Sequence, residues 1–333
     1  MSSSALPHEL IFEILSWLPV CSILRFKCVS KRWSSTIQDL AFVDVHMKRA
    51  FGGWVFSTTT SDDPHESAAD QIFIARCCGL ILEKSKGAQK FRLRNPSTRE
   101  ILHVPAPDEN VLCCMRLCYI TSTNEFKLVY PYTNGADENG GFKILTIGPN
   151  ATWRMVEFPF SCKLGIVRVY IRVLHEVYYM IRLPKSAGTC DAEVVCLEME
   201  NEQLSRIKIP DNLFLDWRRV WPVDWDGKLS LGGVENDKLH VWVLESVKEQ
   251  RWADRKIVIP LSFITRKVCC ELHDIGLVIN TDHGELLVLD IVTGTISKRI
   301  GAPAGEQFLY YFEPSLVRLE GMRPETETTY ESN

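Results

Sequence analysis

The chain has 333 residues, of which 46% are hydrophobic and 24% charged, and its net charge is −4 at neutral pH. That length accommodates one small and one large domain, and the interspersed charges exclude a basic surface made for nucleic acid or an anionic membrane. No run approaches the ~20 apolar residues of a membrane-spanning helix, and the opening Met1-Ser2-Ser3-Ser4 lacks the pattern of a signal peptide, so cytoplasm, nucleus or both is the expected location.

The first fifty residues predict an all-α block. Residues 5–19 read as a helix with a proline near each end, and Leu10, Ile11, Ile14, Leu15 and Leu18 recur at helical spacing. Ser22 is placed to cap a second helix over residues 23–29, and Ser30 a third over 31–37. Three helices in about forty residues form a poor independent core. Leu18, Pro19, Val20, Ile23, Leu24, Phe26, Val29 and Trp33 are too many apolar groups for so small a unit. The block must pack on the rest of the chain or dock on another protein, and composition favours neither.

Leu6-Pro7-x-Glu9-Leu10, Glu13-Ile14-Leu15, Leu18-Pro19-Val20, Leu24-x-Phe26-Lys27-Cys28-Val29-Ser30-Lys31-x-Trp33 and Phe42 resemble an F-box over residues 4–46. The run from Phe26 to Trp33 is similar to plant F-box proteins in particular. The resemblance assigns residues 1–46 to that domain and implies a Skp-type adaptor as partner, with a cullin scaffold reached through it. It gives adaptor binding, or support of that surface, to Leu6, Pro7, Leu10, Ile14, Leu15, Leu18, Pro19, Leu24, Val29 and Trp33. Sequence does not sort those facing a partner from those holding the helices together.

Residues 47–69 read as a connecting segment with a strand over 51–60. From residue 70 to 320 the pattern is one of short strands broken by turns. Residues 90–94 and 238–243 alternate with period two, and turn pairs stand at Asn134-Gly135, Asn139-Gly140, Asp226-Gly227, His283-Gly284 and Thr293-Gly294. Strand-like runs end at Pro105, Pro159, Pro210 and Pro260, about fifty residues apart, and a fifth ends at Ile300-Gly301. Such a period, with about four strands per unit, predicts propeller blades. The units are 70–107, 108–160, 165–210, 217–260 and 266–301. The strands left over, 51–60 and 307–319, would close the ring as a split final blade and remove its open edges. The expectation is an all-β propeller of about six blades, with five or seven also compatible, and a β-sandwich or irregular sheets as the alternative. Residues 321–333 are polar and acidic and are expected to form a disordered tail.

Cys78-Gly79-Leu80, Arg94 to Glu100, Glu125 to Val129, Leu239-x-Val241-Trp242-Val243-Leu244 and Tyr311, Glu313, Ser315, Leu316 and Val317 resemble the plant F-box-associated domain over residues 75–319. That family is kelch-like, though glycine pairs occur here only at Gly140-Gly141 and Gly232-Gly233. The layout is similar to pollen S-locus F-box proteins, and no residue assigns that specific role.

Signatures of catalysis are missing. There is no Gly-x-Ser-x-Gly elbow, P-loop or His-Glu-x-x-His, and the glycine run at 135–141 has no helix after it. His103, His175 and His240 fall in strand patterns and read as structural. Asp62-Asp63 and Asp137-Glu138 sit in polar loops. Among twelve cysteines, the adjacent pairs Cys77-Cys78, Cys113-Cys114 and Cys269-Cys270 lie in strand-like runs, where neighbours point to opposite faces and cannot share one ion. They read as small buried hydrophobes with reduced thiols. No catalytic residue, metal or cofactor is expected. Trp217-Arg218-Arg219, opening an aromatic and basic segment that ends at Trp225, is a candidate target contact. In the alternative reading Trp221 and Trp225 pack between blades while the arginines face water.

The functional expectation is a non-catalytic receptor in a Skp–cullin–F-box ubiquitin ligase, which holds an unidentified target protein close to the ubiquitin donor. The alternative is an adaptor-bound propeller that binds a partner without ligase activity. A propeller hydrolase or lectin-like binder would need a polar cluster at the ring axis, of which the sequence carries no sign.

Overall fold

Proline sets where the first two helices begin. In this computed structural model, which describes residues 6–49, 52–58, 71–86, 90–107, 114–133, 140–160, 167–184, 192–261, 269–273, 276–280, 286–300 and 307–325, α1 (His8–Ser16) follows Pro7 and α2 (Val20–Phe26) follows Pro19. The two prolines have φ of −54° and −59°, and that fixed φ leads directly into a helix. Pro19 therefore starts α2 ahead of the Ser22 cap expected from the sequence. The third helix, α3 (Lys31–Gln38), begins as expected, with Ser30 Oγ accepting from the Trp33 N–H at 3.1 Å.

A fourth helix, α4 (Leu40–Arg49), corrects the expected three. Its start signal is Asp39, whose Oδ1 accepts from the Ala41 N–H at 2.8 Å. Phe42, Val43, His46 and Met47 form its inward stripe, but apolar Val45 between them blurs the helical period. Phe42 is fully buried and meets Phe12 edge to face at 5.1 Å. His46 is buried too, and its Nε2 bonds the Leu18 carbonyl at 2.9 Å. Arg49 pairs with Glu13 at 3.0 Å, so α4 holds α1 through contacts near both of its own ends.

The β region is a propeller of five blades. Blade one holds β2 (Gln71–Cys77), β3 (Leu80–Ser85), β4 (Phe91–Asn95) and β5 (Glu100–Val104). Blade two holds β6 (Arg116–Ile120), β7 (Glu125–Thr133), β8 (Gly140–Thr146) and β9 (Arg154–Glu157). Blade three holds β10 (Val167–Leu174), β11 (Val177–Pro184), β12 (Glu193–Glu198) and β13 (Leu204–Lys208). In blade four, β14 (Val220–Trp225), β15 (Lys228–Glu235) and β16 (Lys238–Ser246) are followed by β17 (Arg251–Trp252) and β18 (Ile257–Pro260), both paired to β16. Blade five holds β19 (Cys269–His273), β20 (Gly276–Asn280), β21 (Leu286–Leu289) and β22 (Ile296–Ile300). All are antiparallel meanders, and each lies within one of the units expected from the sequence.

Apolar side chains from both faces of the sheets fill the spaces between blades. One cluster joins blades one and two around Leu82, Leu93, Leu128 and Tyr130. Others join blades two and three around Phe142, Ile144 and Tyr178, three and four around Ile181, Val194 and Leu231, and four and five around Val241, Leu277 and Leu289. Burial on both faces is what stacking requires of a sheet that cannot cover itself.

The two chain ends pair, but not as a sixth blade. The strand β1 (Gly53–Thr58) runs antiparallel to β23 (Gln307–Phe312) as a two-stranded ribbon. Residues 313–319, expected to continue that strand, form a strap between blade one and the helices. Asn95 Nδ2 donates to the Ser315 and Val317 carbonyls at 3.1 and 2.8 Å, and Leu316 packs into the helical core. The segment after it is ordered where a disordered tail was expected to begin. Met322 is buried, β24 (Arg323–Pro324) pairs with β5, and Glu325 meets Arg92 at 3.3 Å.

Two smaller expectations are corrected. Cys78 leaves the strand with φ of 49°, so its sulfur lies 3.6 Å from that of Cys77 instead of on the opposite face. His175 sits in the β10–β11 turn, not in a strand. Cys113 and the side chains of Cys269 and Cys270 lie outside the described residues, as do the turns at Asn134-Gly135 and His283-Gly284.

Candidate functional site

Helix α1 is apolar on two sides. Ile11, Phe12 and Leu15 face the helical core, where Leu15 is 1% exposed. Leu6, Leu10, Ile14 and Trp17 follow one another at helical spacing along the outer side, with Leu10 50% and Ile14 54% exposed. A stripe of this kind on a short helix has no core to bury it and is characteristic of an interaction surface. Trp17 is held in place: its Nε1 donates to Glu13 Oε1 at 2.9 Å, and the Arg49 guanidinium stacks over its ring at 4.6 Å. The Trp17 hydrogen bond and then Arg49 keep the Glu13 carboxyl below its ordinary pKa.

The ten residues singled out in this block divide by burial. Leu6, Pro7, Leu10, Ile14, Pro19 and Val29 are at the surface. Leu15 is in the core, and Leu18, Leu24 and Trp33 pack against it, with Phe26 and Trp33 edge to face at 5.6 Å. Trp17 and Leu40 are exposed apolar residues that the sequence reading passed over. For Trp17 the signal was there, three residues after Ile14 on the same stripe.

The propeller has two unlike ends. At one end lie the turns that join first to second and third to fourth strands in each blade. Thr121 donates from both its N–H and its hydroxyl to Glu176, so these turns of blades two and three meet. Gly227, in the left-handed Asp226-Gly227 turn of blade four, packs so closely on His175 of blade three that an added Cβ would lie 2.4 Å from the ring. The first strands of blades four and five run parallel, which turns blade five the same way. At this same end, Thr98 and Asn124 of blades one and two face Ile37 and Val43 of the helices.

The helical block therefore caps one end, and the opposite end carries the blade-to-blade connectors. Of these, residues 209–219 are described in full. Arg168 on β10 donates to the carbonyls of Trp217 and Arg218, Asp216 Oδ1 caps a short 3-10 turn, Trp217–Arg219, at 3.0 Å, and Trp242 Nε1 donates to the Leu213 carbonyl at 3.0 Å. Phe214 and Trp217 meet edge to face at 5.6 Å. Trp217 is half-buried, Trp221 is buried, and Trp225 packs on the cluster between blades four and five. Arg218 and Arg219 are exposed and pair with Asp216, and Leu215, 89% exposed, projects beside them. The Arg218 hydrogen bond holds the Asp216 carboxyl below its ordinary pKa.

No group of three or more metal-ligating side chains occurs among the described residues. Burial pushes the Cys118 and Cys196 thiols up to about 12, which keeps both protonated and unreactive at neutral pH. No described helix is long and apolar enough to cross a membrane.

Comparisons agree with this division of the chain. A family model described as the F-box domain matches residues 3–44, and one described as the F-box associated beta propeller domain matches residues 41–315. F-box protein At1g30790 of Arabidopsis thaliana is 26% identical, over 77% of this chain and 76% of its own length. F-box protein At5g65850 of the same plant is 24% identical, over 78% and 72%. Among solved structures, the computationally designed Ika8 protein aligns over 73% of this chain and 68% of its own at 12% identity, with a TM-score of 0.38, too low to argue from.

Proposed function

The chain belongs to the F-box proteins that carry an F-box associated β-propeller domain, and on that premise we propose that it is the substrate-recognition subunit of a Skp–cullin–F-box ubiquitin ligase. The observation that supports this most is the outer stripe of α1. Leu6, Leu10, Ile14 and Trp17 are held in solvent on a helix whose opposite side, Ile11, Phe12 and Leu15, is packed. They would dock on a Skp-type adaptor, with Pro7, Pro19 and Val29 at the rim, while Leu15, Leu18, Leu24 and Trp33 keep the docking face in shape. The cullin is reached through the adaptor.

The target protein would be held at the opposite end of the propeller, where Leu215, Trp217, Arg218 and Arg219 form a rigid apolar and basic projection. No bond chemistry is required of this chain. Holding a target lysine beside a charged ubiquitin-conjugating enzyme raises its effective concentration. The test is co-purification of the full chain with a Skp-type adaptor, comparing wild type with Ile14→Asp. A complex formed by the wild type and lost in a variant that melts normally supports the reading. A well-folded wild type that forms no complex overturns it.

A further inference from the structure

The β2–β3 hairpin brings together two sulfurs that a regular strand would hold apart. Cys77 closes β2, and Cys78 follows in the left-handed region at φ of 49°, leading into Gly79 at φ of 76°. That turn swings the Cys78 side chain back toward Cys77, and the two Sγ atoms lie 3.6 Å apart. Both thiols are free and both residues are part-exposed, whereas Cys118 and Cys196 are buried. Gly79 is held against the strap, where an added Cβ would lie 2.2 Å from Ser315 Oγ, so the turn and its sulfur pair are set before any ligand arrives.

The spacing selects what such a pair binds. A direct disulfide is disfavoured, because neighbouring α-carbons are about 3.8 Å apart across a trans peptide and disulfides ask for roughly 4.4–6.8 Å. A single bridging atom bonded to both sulfurs at about 2.3 Å, the length of a zinc–thiolate bond, holds them about 3.8 Å apart at tetrahedral angles. The observed 3.6 Å is already close to that. Zinc itself takes four ligands, and among the described residues no third metal-ligating side chain joins the pair. The bridge that fits needs two sulfurs and nothing more. Trivalent arsenic with one carbon substituent has two exchangeable positions and, being soft, prefers sulfur. The Cys77 thiol beside it, and then burial, raise the Cys78 pKa above its ordinary value. A protonated thiol is a weak nucleophile toward peroxides, but a dithioarsenite is uncharged, and burial sets no charge penalty on it.

We propose that Cys77 and Cys78 form a dithiol site for monosubstituted trivalent arsenicals. Two S–H bonds and the bonding of arsenic to its oxygen break, two As–S bonds form, and both protons leave with the oxygen as water. No electron is transferred. The site rests on neither the adaptor nor the target reading.

The test is titration of the full chain, kept reduced with a phosphine, with phenylarsine oxide, read by intact mass. Cys77→Ser and Cys78→Ser each leave one sulfur and are expected to bind one phenylarsenic group fewer at the concentration that saturates wild type. The second As–S bond is intramolecular, so affinity at this site should fall by roughly a hundredfold or more. Cys21→Ser, which removes an exposed single thiol, should match wild type. Proteolysis of the loaded wild type gives a reading free of any change in fold: the group should sit on the fragment that holds Cys77 and Cys78. Equal uptake by wild type and Cys77→Ser overturns the proposal, as does a group found only on other fragments. Uptake by wild type only in denaturant, or none at all, overturns it as well.

Discussion

Asn95 shows how one side chain ties distant parts of this chain together. It is 0% exposed, donates to two carbonyls of the strap, and accepts from the Ser97 N–H at 2.9 Å in its own turn. Asn95→Ala leaves two buried carbonyls unpaired and is expected to cost roughly 2–4 kcal/mol in chemical denaturation. Asn95→Asp should not rescue it, since a carboxylate there faces two carbonyl oxygens. Glu202 makes a different link, from the end of blade three to Lys127 at 3.0 Å and Arg154, both in blade two. Burial by itself would raise the Glu202 pKa, but the hydrogen bonds from Arg154 and Lys127 outweigh it and hold the pKa below its ordinary value. A folded pKa below the unfolded one means stability fully present above the unfolded value, near ~4.3, and lost as pH falls through the folded value. Glu202→Gln is therefore expected to lose about 1–2 kcal/mol at neutral pH, allowing for partial exposure. The gap to wild type should shrink below about pH 4 in melts run across that range.

At the scale of elements, α1 offers a contrast within one helix. Ile14→Asp, on the outer stripe, should leave the melting temperature nearly unchanged and weaken adaptor binding by about 2 kcal/mol or more, roughly thirtyfold in Kd. Leu15→Ala, one residue on, should cost about 2–4 kcal/mol of stability because it empties a filled core position. Paired melting and binding titrations separate the two. The β2–β3 hairpin gives another test. Gly79 has φ of +76°, and an added Cβ would lie 2.2 Å from Ser315 Oγ and 2.8 Å from the Glu313 carbonyl. Gly79→Ala is expected to destabilise by more than about 2 kcal/mol, from backbone strain together with displacement of the strap.

For the whole molecule, the helices and propeller are not independent beads. Leu316 of the strap sits in the helical core, and Val43 and Met47 of α4 pack on the cluster between blades one and two. Removing residues 1–39 uncovers Leu316 and Phe42, each worth about 1.5–3 kcal/mol of burial. The truncated chain is expected to keep a β-rich far-ultraviolet spectrum, bind a hydrophobic dye and elute early from size-exclusion columns. Elution as a monomer with no dye binding would show that the blades need no cover from the helices. Of the two readings left open by composition, packing on the rest of the chain holds for one face of the block, while another face stays in solvent and is the one proposed to dock on a partner.

What could be read from the sequence alone was local. Pro7 and Ser30 mark helix starts because a fixed φ or a side-chain acceptor acts within three residues. The blade spans were legible because proline and glycine punctuate strands of period two, and Leu239, Val241 and Val243 indeed share a buried face. Tertiary structure decided the rest. Five blades and not six, a strap in place of a closing strand, and the split of α1 into inner and outer stripes all depend on pairs such as Asn95 with Val317, or Phe42 with Phe12. A side chain's burial is set by what folds against it, and those partners lie far away along the chain.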